Sequence, residues 1–262
     1  MKYGFIGCGN MGSALATALS KTTKDILLAD FNPEKARELA FSLGVSFGNN
    51  EDIIENCDRV FLGVKPQMMA DMLSSLKGLI AENKPTLISM AAGLATDTIE
   101  NMAGGNVGVI RIMPNTPVGV GKGVVLYCAN KLVDSEILDS FAEDMQHAGL
   151  VDKLDEALMD AGCSVSGCGP AFMYTFASAL AKGGVQCGLS SEQAIKYAAA
   201  TMAGAAEMML KSSKSPEELC DAVCSKGGST IEGVKVLQNN RLEQIVADCV
   251  KASYERNKEL GK

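Results

Sequence analysis

The chain has 262 residues, of which 47% are hydrophobic and 21% charged, and its formal net charge at pH 7 is −7. This balance is typical of a globular protein with one large or two modest domains, and it excludes disordered and fibrous classes. Because the charge is negative and no run of Lys or Arg occurs, we expect no nucleic acid as a partner.

The nine cysteines indicate the compartment. Their number is odd, no C-x-x-C pair occurs and the chain is long, so we interpret them as reduced thiols of a cytoplasmic protein. Cys220 and Cys224 lie one helical turn apart, but His147 is the only histidine, so no metal site is expected. No signal peptide and no apolar run of about 18 residues is found, so we expect no membrane association.

Residues 1–156 alternate short β-rich runs with helical patterns. This order predicts an α/β domain of the Rossmann type, a doubly wound sheet whose parallel strands are joined by crossover helices. Asn32 is expected to cap the helix after the second strand, and Gly44 to end it. A later helix is predicted from Asp134 to near Gly149. The predicted strands are residues 2–6, 25–29, 59–64, 86–90, 107–112 and 124–127.

Residues 157–262 show successive helical patterns broken by glycine and proline, which predicts an all-α C-terminal domain. Residues 198–206 are mostly small, so helices can approach closely there but bury little apolar area each. We therefore predict that this domain forms a homodimer by intertwining with its twin, and a monomeric sedimentation profile at micromolar concentration would contradict this. Two helix starts have capping-box spacing, at Ser190 with Gln193 and at Ser215 with Glu218.

A glycine motif, GCGNMG, follows the first predicted strand and opens a helix. Gly7 allows a tight turn, Gly9 lets the backbone approach a pyrophosphate, and Gly12 lets helix and strand pack closely. Free N–H groups at the helix start can hold the phosphates. The alternative is a plain glycine turn with no nucleotide. The motif residues expected to bind the dinucleotide are Gly7, Gly9, Asn10, Met11 and Gly12.

Asp30 ends the second predicted strand, 18 residues after Gly12. A carboxylate there can accept hydrogen bonds from both hydroxyls of the adenosine ribose and repels a 2′-phosphate, which favours NADH over NADPH. Two alternatives stay open. Asp30 can simply cap the next turn, and Asn32 and Lys35 can tolerate a phosphate.

Five segments then carry a resemblance to one family. They are GCGNMG at residues 7–12, VKPQ at 64–67, MPNTP at 113–117, SGCGPA at 166–171 and SKGGST at 225–230. In this order and spacing, the sequence resembles the Δ1-pyrroline-5-carboxylate reductase family along essentially its whole length. The resemblance implies reduction of the cyclic imine Δ1-pyrroline-5-carboxylate to L-proline with NADH or NADPH, by hydride transfer to the imine carbon, in a homodimer that can assemble into a higher homo-oligomer.

The resemblance also implies positions for the rest of the cofactor site. Val64 to Pro66 would lie beside the nicotinamide, with Ala91 to Gly93 nearby, and Asn50 would contact a ribose. Without the resemblance, Lys65-Pro66 and Met113-Pro114 can simply be the positions at which the chain leaves a strand, with no role in binding. The residues added to the cofactor site are Asn50, Val64, Lys65, Pro66, Ala91, Ala92, Gly93 and Asn115.

The segment from Ser225 to Thr230 resembles the family's substrate loop. Backbone N–H groups around Gly227, Gly228 and Ser229, at a helix N-terminus, can bind the substrate carboxylate despite the negative charge of the protein. The resemblance implies that Thr230 is the catalytic residue and hydrogen-bonds the ring nitrogen. The alternative is a glycine turn followed by a capping Ser or Thr.

Imine reduction makes a modest demand on acid catalysis, because a protonated C=N is already electrophilic and the product amine is basic. The scarcity of histidine is therefore no objection. A β-hydroxyacid dehydrogenase is an alternative, but it would need a lysine in residues 169–174, which have none. A noncatalytic dinucleotide sensor is another. Many family members carry Asn-Arg where this chain has Asp30-Phe31, which leaves the cofactor preference open.

Overall fold

The computed structural model describes residues 1–260. The chain divides into two compact units, one formed by Met1–Cys168 together with the chain from Ser253, and the other by Gly169–Ala252. All eight strands of the described chain lie in the first unit.

The first unit is built on one sheet. Its strands are β1 Tyr3–Ile6, β2 Ile26–Ala29, β3 Ser46–Phe47, β4 Arg59–Leu62, β5 Thr86–Ser89, β6 Val109–Pro114, β7 Gly123–Ala129 and β8 Gly149–Lys153. The spatial order is β3-β2-β1-β4-β5-β6-β7-β8, and every neighbouring pair is parallel except β6 with β7. The chain therefore leaves β1 and β4 at the same edge, which is where doubly wound sheets bind ligands.

Helices connect the strands and continue into the second unit. In the first part of the chain they are α1 Asn10–Leu19, α2 Pro33–Leu43, α3 Asn50–Asn56, α4 Pro66–Asn83, α5 Thr96–Met102, α6 Ser135–Asp144 and α7 Met159–Gly162. Later come α8 Gly169–Gln186, α9 Ser191–Lys211, α10 Pro216–Val223, α11 Ser229–Asn239 and α12 Leu242–Leu260. Within the described part of the chain, every helix is too short or too polar to traverse a bilayer.

Local signals placed most of these elements correctly. Asn32 accepts a hydrogen bond from the Glu34 amide at 3.2 Å, and Gly44 ends α2 in the left-handed region, as predicted. Both predicted capping boxes are also present, at the starts of α9 and α10. The six predicted strands are found, which confirms the α/β reading of this half.

The prediction was wrong about the direction of one strand and the end of one helix, and it missed two strands. We expected parallel strands throughout, but β7 runs antiparallel to β6, because the eight residues from Asn115 to Lys122 hold only a short 3-10 turn and cannot make a crossover. The helix after Asp134 ends at Asp144 instead of near Gly149, since Gly149 begins the unpredicted strand β8. Strand β3 was also missed, because two exposed residues carry no periodic signal.

Apolar side chains cover both faces of the sheet. On one face, α1, α2 and α6 pack on an aromatic group in which Phe5 and Phe61 stack with ring centroids 4.2 Å apart. On the other face, α3, α4 and α5 pack over Ile6 and Leu62. Because β1 and β4 are buried on both faces, they have little freedom to shift, and the turns that follow them are held on a rigid base.

A buried arginine joins this sheet to α6. Arg59 is 1% exposed and donates to the Tyr3 hydroxyl at 2.6 Å, to the Ile137 carbonyl at 3.0 Å and to the Ser140 hydroxyl. Its guanidinium also lies 3.5 Å from the Asp144 carboxylate, which accepts from the Tyr3 hydroxyl at 2.6 Å. Burial and the hydrogen bond to Asp144 raise the pKa of Tyr3, so the phenol stays protonated and donates.

We expect Arg59→Ala to lower the free energy of unfolding by about 3 kcal/mol, because removing one member of a buried ion pair leaves its partners without compensation. Thermal unfolding of this variant should show a clearly lower midpoint than that of the wild type. The control is Arg37→Ala, which breaks an exposed pair with Glu34 and should cost less than about 0.5 kcal/mol. If both variants lost the same free energy of unfolding, the buried contacts of Arg59 would not be the source of its stabilising effect.

The second unit consists of helices with little core of their own. Among residues 169–252, the buried apolar side chains are Ala181, Ala194 and Ala198, where α8 packs on α9. Large apolar side chains of these helices are exposed instead. They include Met173, Tyr174, Leu180, Ile195, Tyr197, Met208, Leu210, Val223, Val236 and Ile245. Three buried alanines remove little apolar area from water, so this unit needs another surface to cover it.

Candidate functional site

The turn between β1 and α1 depends on its glycines. Gly7 has a φ of +109°, a conformation that L side chains rarely adopt. A Cβ on Gly7 would lie 2.6 Å from the Gly63 carbonyl oxygen at the end of β4, and a Cβ on Gly12 would lie 2.1 Å from the Gly7 carbonyl oxygen. Gly7 and Gly12 are therefore required by close packing of the backbone itself.

Gly9 differs from its two neighbours in the motif. It is the N-cap of α1, its φ is −69°, and a Cβ placed there would meet nothing within 4 Å. No described side chain caps the first turn of α1, so the amide groups that begin the helix have no side-chain acceptor. Open space in front of free helical N–H groups is suited to an anion such as a phosphate.

Asp30 is held in place by the glycine turn. One carboxylate oxygen accepts from the Cys8 amide at 2.7 Å, and the other accepts from the Asn32 amide at 2.9 Å. The second contact is the turn-capping role that the sequence left open. Each carboxylate oxygen can accept more than one hydrogen bond, so Asp30 keeps acceptor capacity for the hydroxyls of a ribose.

A cavity of about 510 Å³ opens beside this turn in the first unit. Its ionisable lining groups are two carboxylates, Asp30 and Glu51, and one ammonium, Lys65. Apolar walls come from Phe31 and from Met68 and Met72. The predicted cofactor residues that line it are Gly7, Gly9, Asp30, Asn50, Val64 and Lys65. Residues at the end of β1, after β2 and at the start of α4 therefore line the same cavity, which lies at the carboxyl edge of the sheet.

Other predicted cofactor residues lie outside that lining. Ala91 to Gly93 follow β5, the neighbour of β4, so they extend the same edge of the sheet. Asn115 is buried, and its amide donates to the Ser166 carbonyl at 2.9 Å and accepts from the Val124 amide at 2.8 Å. The Asn115 side chain thus ties residues 163–167 to the sheet, and its role toward a cofactor stays a prediction.

A polar cluster fixes the far end of the loop after β5. Glu156 accepts from both the Thr96 amide and the Thr96 hydroxyl, each at 2.8 Å, so it caps α5 from a distant part of the chain. Arg111 lies between Glu156, at 3.6 Å, and Asp160, at 3.3 Å. Sequence reasoning missed this cap because Glu156 and Thr96 are 60 residues apart.

The predicted substrate loop lies in the second unit, before α11. Gly227 has a φ of +76°, and the Gly228 amide donates to the Ser225 carbonyl at 3.0 Å. The Gly228 N–H is therefore used within the turn, and the role of this loop toward a carboxylate stays a prediction. Ser229 and Thr230 begin the first turn of α11, where helical N–H groups have no acceptor within the helix, and Thr230 is exposed there.

The buried thiols are not nucleophiles. Burial raises the pKa of Cys8 and of Cys128 to about 12, and that of Cys57 to about 11. These groups stay protonated at neutral pH, and only the thiolate is reactive. Cys8, which lies within the glycine turn, packs in the core, and its thiol donates to the Ala29 carbonyl at 3.5 Å.

Comparisons with known proteins cover the whole chain. A family model described as pyrroline-5-carboxylate reductase dimerisation matches residues 156–260, and one described as NADP oxidoreductase, coenzyme F420-dependent, matches residues 2–93. The pyrroline-5-carboxylate reductase of Aquifex aeolicus is 34% identical over 263 residues, which cover 99% of this chain and 97% of that protein. The chain belongs to the pyrroline-5-carboxylate reductase family.

Solved structures of this family have the same fold. The pyrroline-5-carboxylate reductase of Coxiella burnetii superposes with a TM-score of 0.93 at 31% identity, covering 100% of this chain and 98% of that one. A Plasmodium falciparum pyrroline carboxylate reductase, solved with NADP bound, gives a TM-score of 0.87 at 31% identity with the same coverage. These matches confirm the family and the fold class predicted from the sequence, a Rossmann-type domain followed by helices.

Within this family frame, sequence reasoning missed part of the cavity wall. Gly63 packs against Gly7, and its signal was its position directly after a buried strand. Phe31 is a departure from the family pattern in the sequence. It directly follows Asp30, which comes after β2, and it lines the cavity. Met68 and Met72 are one helical turn apart at the start of α4, which places both on one face.

Proposed function

We propose that this chain reduces Δ1-pyrroline-5-carboxylate to L-proline with a reduced nicotinamide dinucleotide. The observation that carries the proposal is the match to pyrroline-5-carboxylate reductases over essentially the full length of both proteins. A glycine turn beside a cavity at the carboxyl edge of a doubly wound sheet supports it. We propose residues 1–156 as the dinucleotide-binding domain and residues 157–262 as the dimerisation and substrate-binding domain.

The first unit supplies groups that fit a dinucleotide. Free amides at the start of α1 bind the pyrophosphate, and the Gly9 Cα leaves room for it. Asp30 accepts from the adenosine ribose hydroxyls, and Asn50 contacts a ribose. Val64 to Pro66 lie beside the nicotinamide, together with Ala91 to Gly93, which follow the neighbouring strand β5. The remaining proposed cofactor residues are Gly7, Asn10, Met11, Gly12 and Asn115.

The second unit supplies groups that fit a carboxylated ring. The amides of Ser229 and Thr230 bind the substrate carboxylate at the N-terminus of α11, with Ser225, Gly227 and Gly228 shaping the turn. Thr230 donates a hydrogen bond to the ring nitrogen. The reduced nicotinamide, when bound, supplies the hydride that the imine carbon accepts. A threonine hydroxyl is a weak acid, so Thr230 acts by positioning and by electrostatic stabilisation.

We propose NADH as the preferred cofactor. The cavity lining holds Asp30 and Glu51 against a single Lys65, and the exposed pair of Arg37 with Glu34 lies outside it. A 2′-phosphate carries about two negative charges, and two unit charges 4 Å apart repel by about 1 kcal/mol even in water. The adenosine end of the cavity therefore disfavours NADPH.

We expect kcat/KM for NADH to exceed that for NADPH by at least about tenfold. The assay follows the loss of reduced-nicotinamide absorbance after addition of the imine, with each cofactor in turn. Asp30→Asn keeps the size of the side chain but removes its charge. The kcat/KM values for NADH and NADPH should therefore be closer to each other in this variant than in the wild type. A wild type that prefers NADPH would contradict the role of Asp30.

The same assay separates the alternatives. A noncatalytic dinucleotide sensor binds NADH without turnover when the imine is added. A β-hydroxyacid dehydrogenase turns over a hydroxy acid instead, and the family match does not favour it. Absence of turnover with the imine, together with tight NADH binding, would overturn the proposed reaction.

We further propose a homodimer formed through residues 169–252. Their large exposed apolar side chains and their three buried alanines require a second surface, and a copy of the same chain provides one. A cavity of about 690 Å³ between α8 and α9, walled by Tyr174, Val185 and Ile195, is open to such a partner. We propose the cytoplasm as the compartment, because the cysteines of the described chain are free thiols.

A further inference from the structure

Phe31 is 97% exposed, although it is a large aromatic side chain. It follows Asp30 at the end of β2 and lines the cavity beside the glycine turn. A fully exposed phenylalanine contributes nothing to the core, and at the rim of a cavity it is available to an apolar or aromatic ligand group.

The neighbours of Phe31 indicate which part of a dinucleotide it would meet. Gly9 and the start of α1 fix the pyrophosphate end, and Asp30 is hydrogen-bonded to the Cys8 amide of the same turn. The ribose held by Asp30 carries the adenine. Phe31 is the next residue in the chain after Asp30 and lines the same cavity, so its ring is available near the base that this ribose carries.

The cavity lining also includes apolar side chains from α4. Met68 and Met72 on α4 line the same cavity, with Met68 48% exposed. Thioether side chains pack well against aromatic rings. Among the described residues, no arginine lines the cavity. The cavity therefore offers the phenyl ring of Phe31 and the thioethers of Met68 and Met72 to a ligand, and no guanidinium.

We propose that Phe31 is the platform on which the adenine ring stacks, with Met68 and Met72 covering its opposite face. The proposal rests on the proposed function only through the identity of the cofactor. It makes Phe31 a specificity-determining residue, because a phenyl ring holds the base without offering any charge to a 2′-phosphate.

The test is direct binding to the full-length protein. NADH binding is followed by the fluorescence of NADH. AMP and nicotinamide mononucleotide, which correspond to the two halves of the dinucleotide, are each tested as competitors of NADH. Phe31→Ala should weaken NADH and AMP by about tenfold, the range expected for loss of one base-stacking contact. Nicotinamide mononucleotide, which lacks the adenine, should bind to Phe31→Ala as it binds to the wild type. Phe31→Trp should restore AMP binding, because it keeps a ring face.

Phe41→Ala is the matched control. Phe41 is 91% exposed on α2 and does not line the cavity, so its removal should leave NADH and AMP binding unchanged. The proposal is overturned if Phe31→Ala changes AMP binding by less than about twofold, if both variants weaken it equally, or if the wild type binds neither NADH nor AMP. If the wild type binds both but does not reduce the imine, the proposed reaction fails while the adenine platform stands.

Discussion

Gly9→Ala is expected to weaken NADH binding by about 10- to 100-fold while leaving the fold intact. The added methyl group meets no atom of the chain within 4 Å, and the φ of −69° is allowed for alanine. Its only cost arises when a pyrophosphate approaches the start of α1, because the methyl group occupies that space. Binding is measured by NADH fluorescence, and stability by thermal unfolding.

Two other glycines provide the comparison. Gly78→Ala on α4 also places its Cβ in open space, so it should leave NADH binding unchanged and slightly stabilise the helix. Gly12→Ala forces its Cβ to 2.1 Å from the Gly7 carbonyl oxygen, so it should lower the unfolding midpoint as well as the affinity. Normal NADH binding by Gly9→Ala would show that no phosphate lies at this turn.

Thr230→Ala is expected to lower kcat/KM for the imine by about one to three orders of magnitude, the loss that follows removal of a single catalytic hydrogen bond. NADH affinity should be nearly unchanged, because Thr230 lies on α11 in the second unit and the proposed dinucleotide cavity lies in the first. Thr230→Ser keeps the hydroxyl and should recover most of the activity. Steady-state kinetics with each substrate varied in turn measure both effects.

Thr175→Ala is the control for this series. Thr175 is an exposed threonine on α8 whose hydroxyl donates only to the Ala171 carbonyl of its own helix, at 2.9 Å. Its replacement should leave kcat/KM unchanged. If Thr230→Ala retains full activity, or if Thr230→Ser is as impaired as Thr230→Ala, the hydroxyl of Thr230 has no role in the reaction.

The elements that could be predicted from the sequence are those fixed by nearby residues. Asn32 and Gly44 bound α2 because caps act within one turn of the chain. The glycine motif was located for the same reason, since the φ of +109° at Gly7 restricts the residue type at that position. The all-α tail was likewise visible in its capping boxes and its lack of strand patterns.

The candidate site was predictable only in part. The family's motifs pointed to the edge of the sheet that holds the cavity, and six of the predicted cofactor residues line it. They did not show that the Gly228 amide is already bonded to Ser225, or that the Asn115 side chain is used to hold residues 163–167. Hydrogen-bond partners depend on which chain segments meet, and a motif does not record them.

By itself, the sequence determined six of the eight strands of the described chain, the caps of α2, α9 and α10, the position of the glycine turn and the family, because each depends on local conformation or on residue order. Only the tertiary structure decided that β7 reverses direction, that Glu156 caps α5 and that Phe31 faces the cavity of Met68. The direction of β7 follows from the short connection between β6 and β7, whereas the Glu156 cap and the cavity lining bring together residues that are far apart in the chain. The order of strands in the sheet and the packing of helices on it set which of them meet.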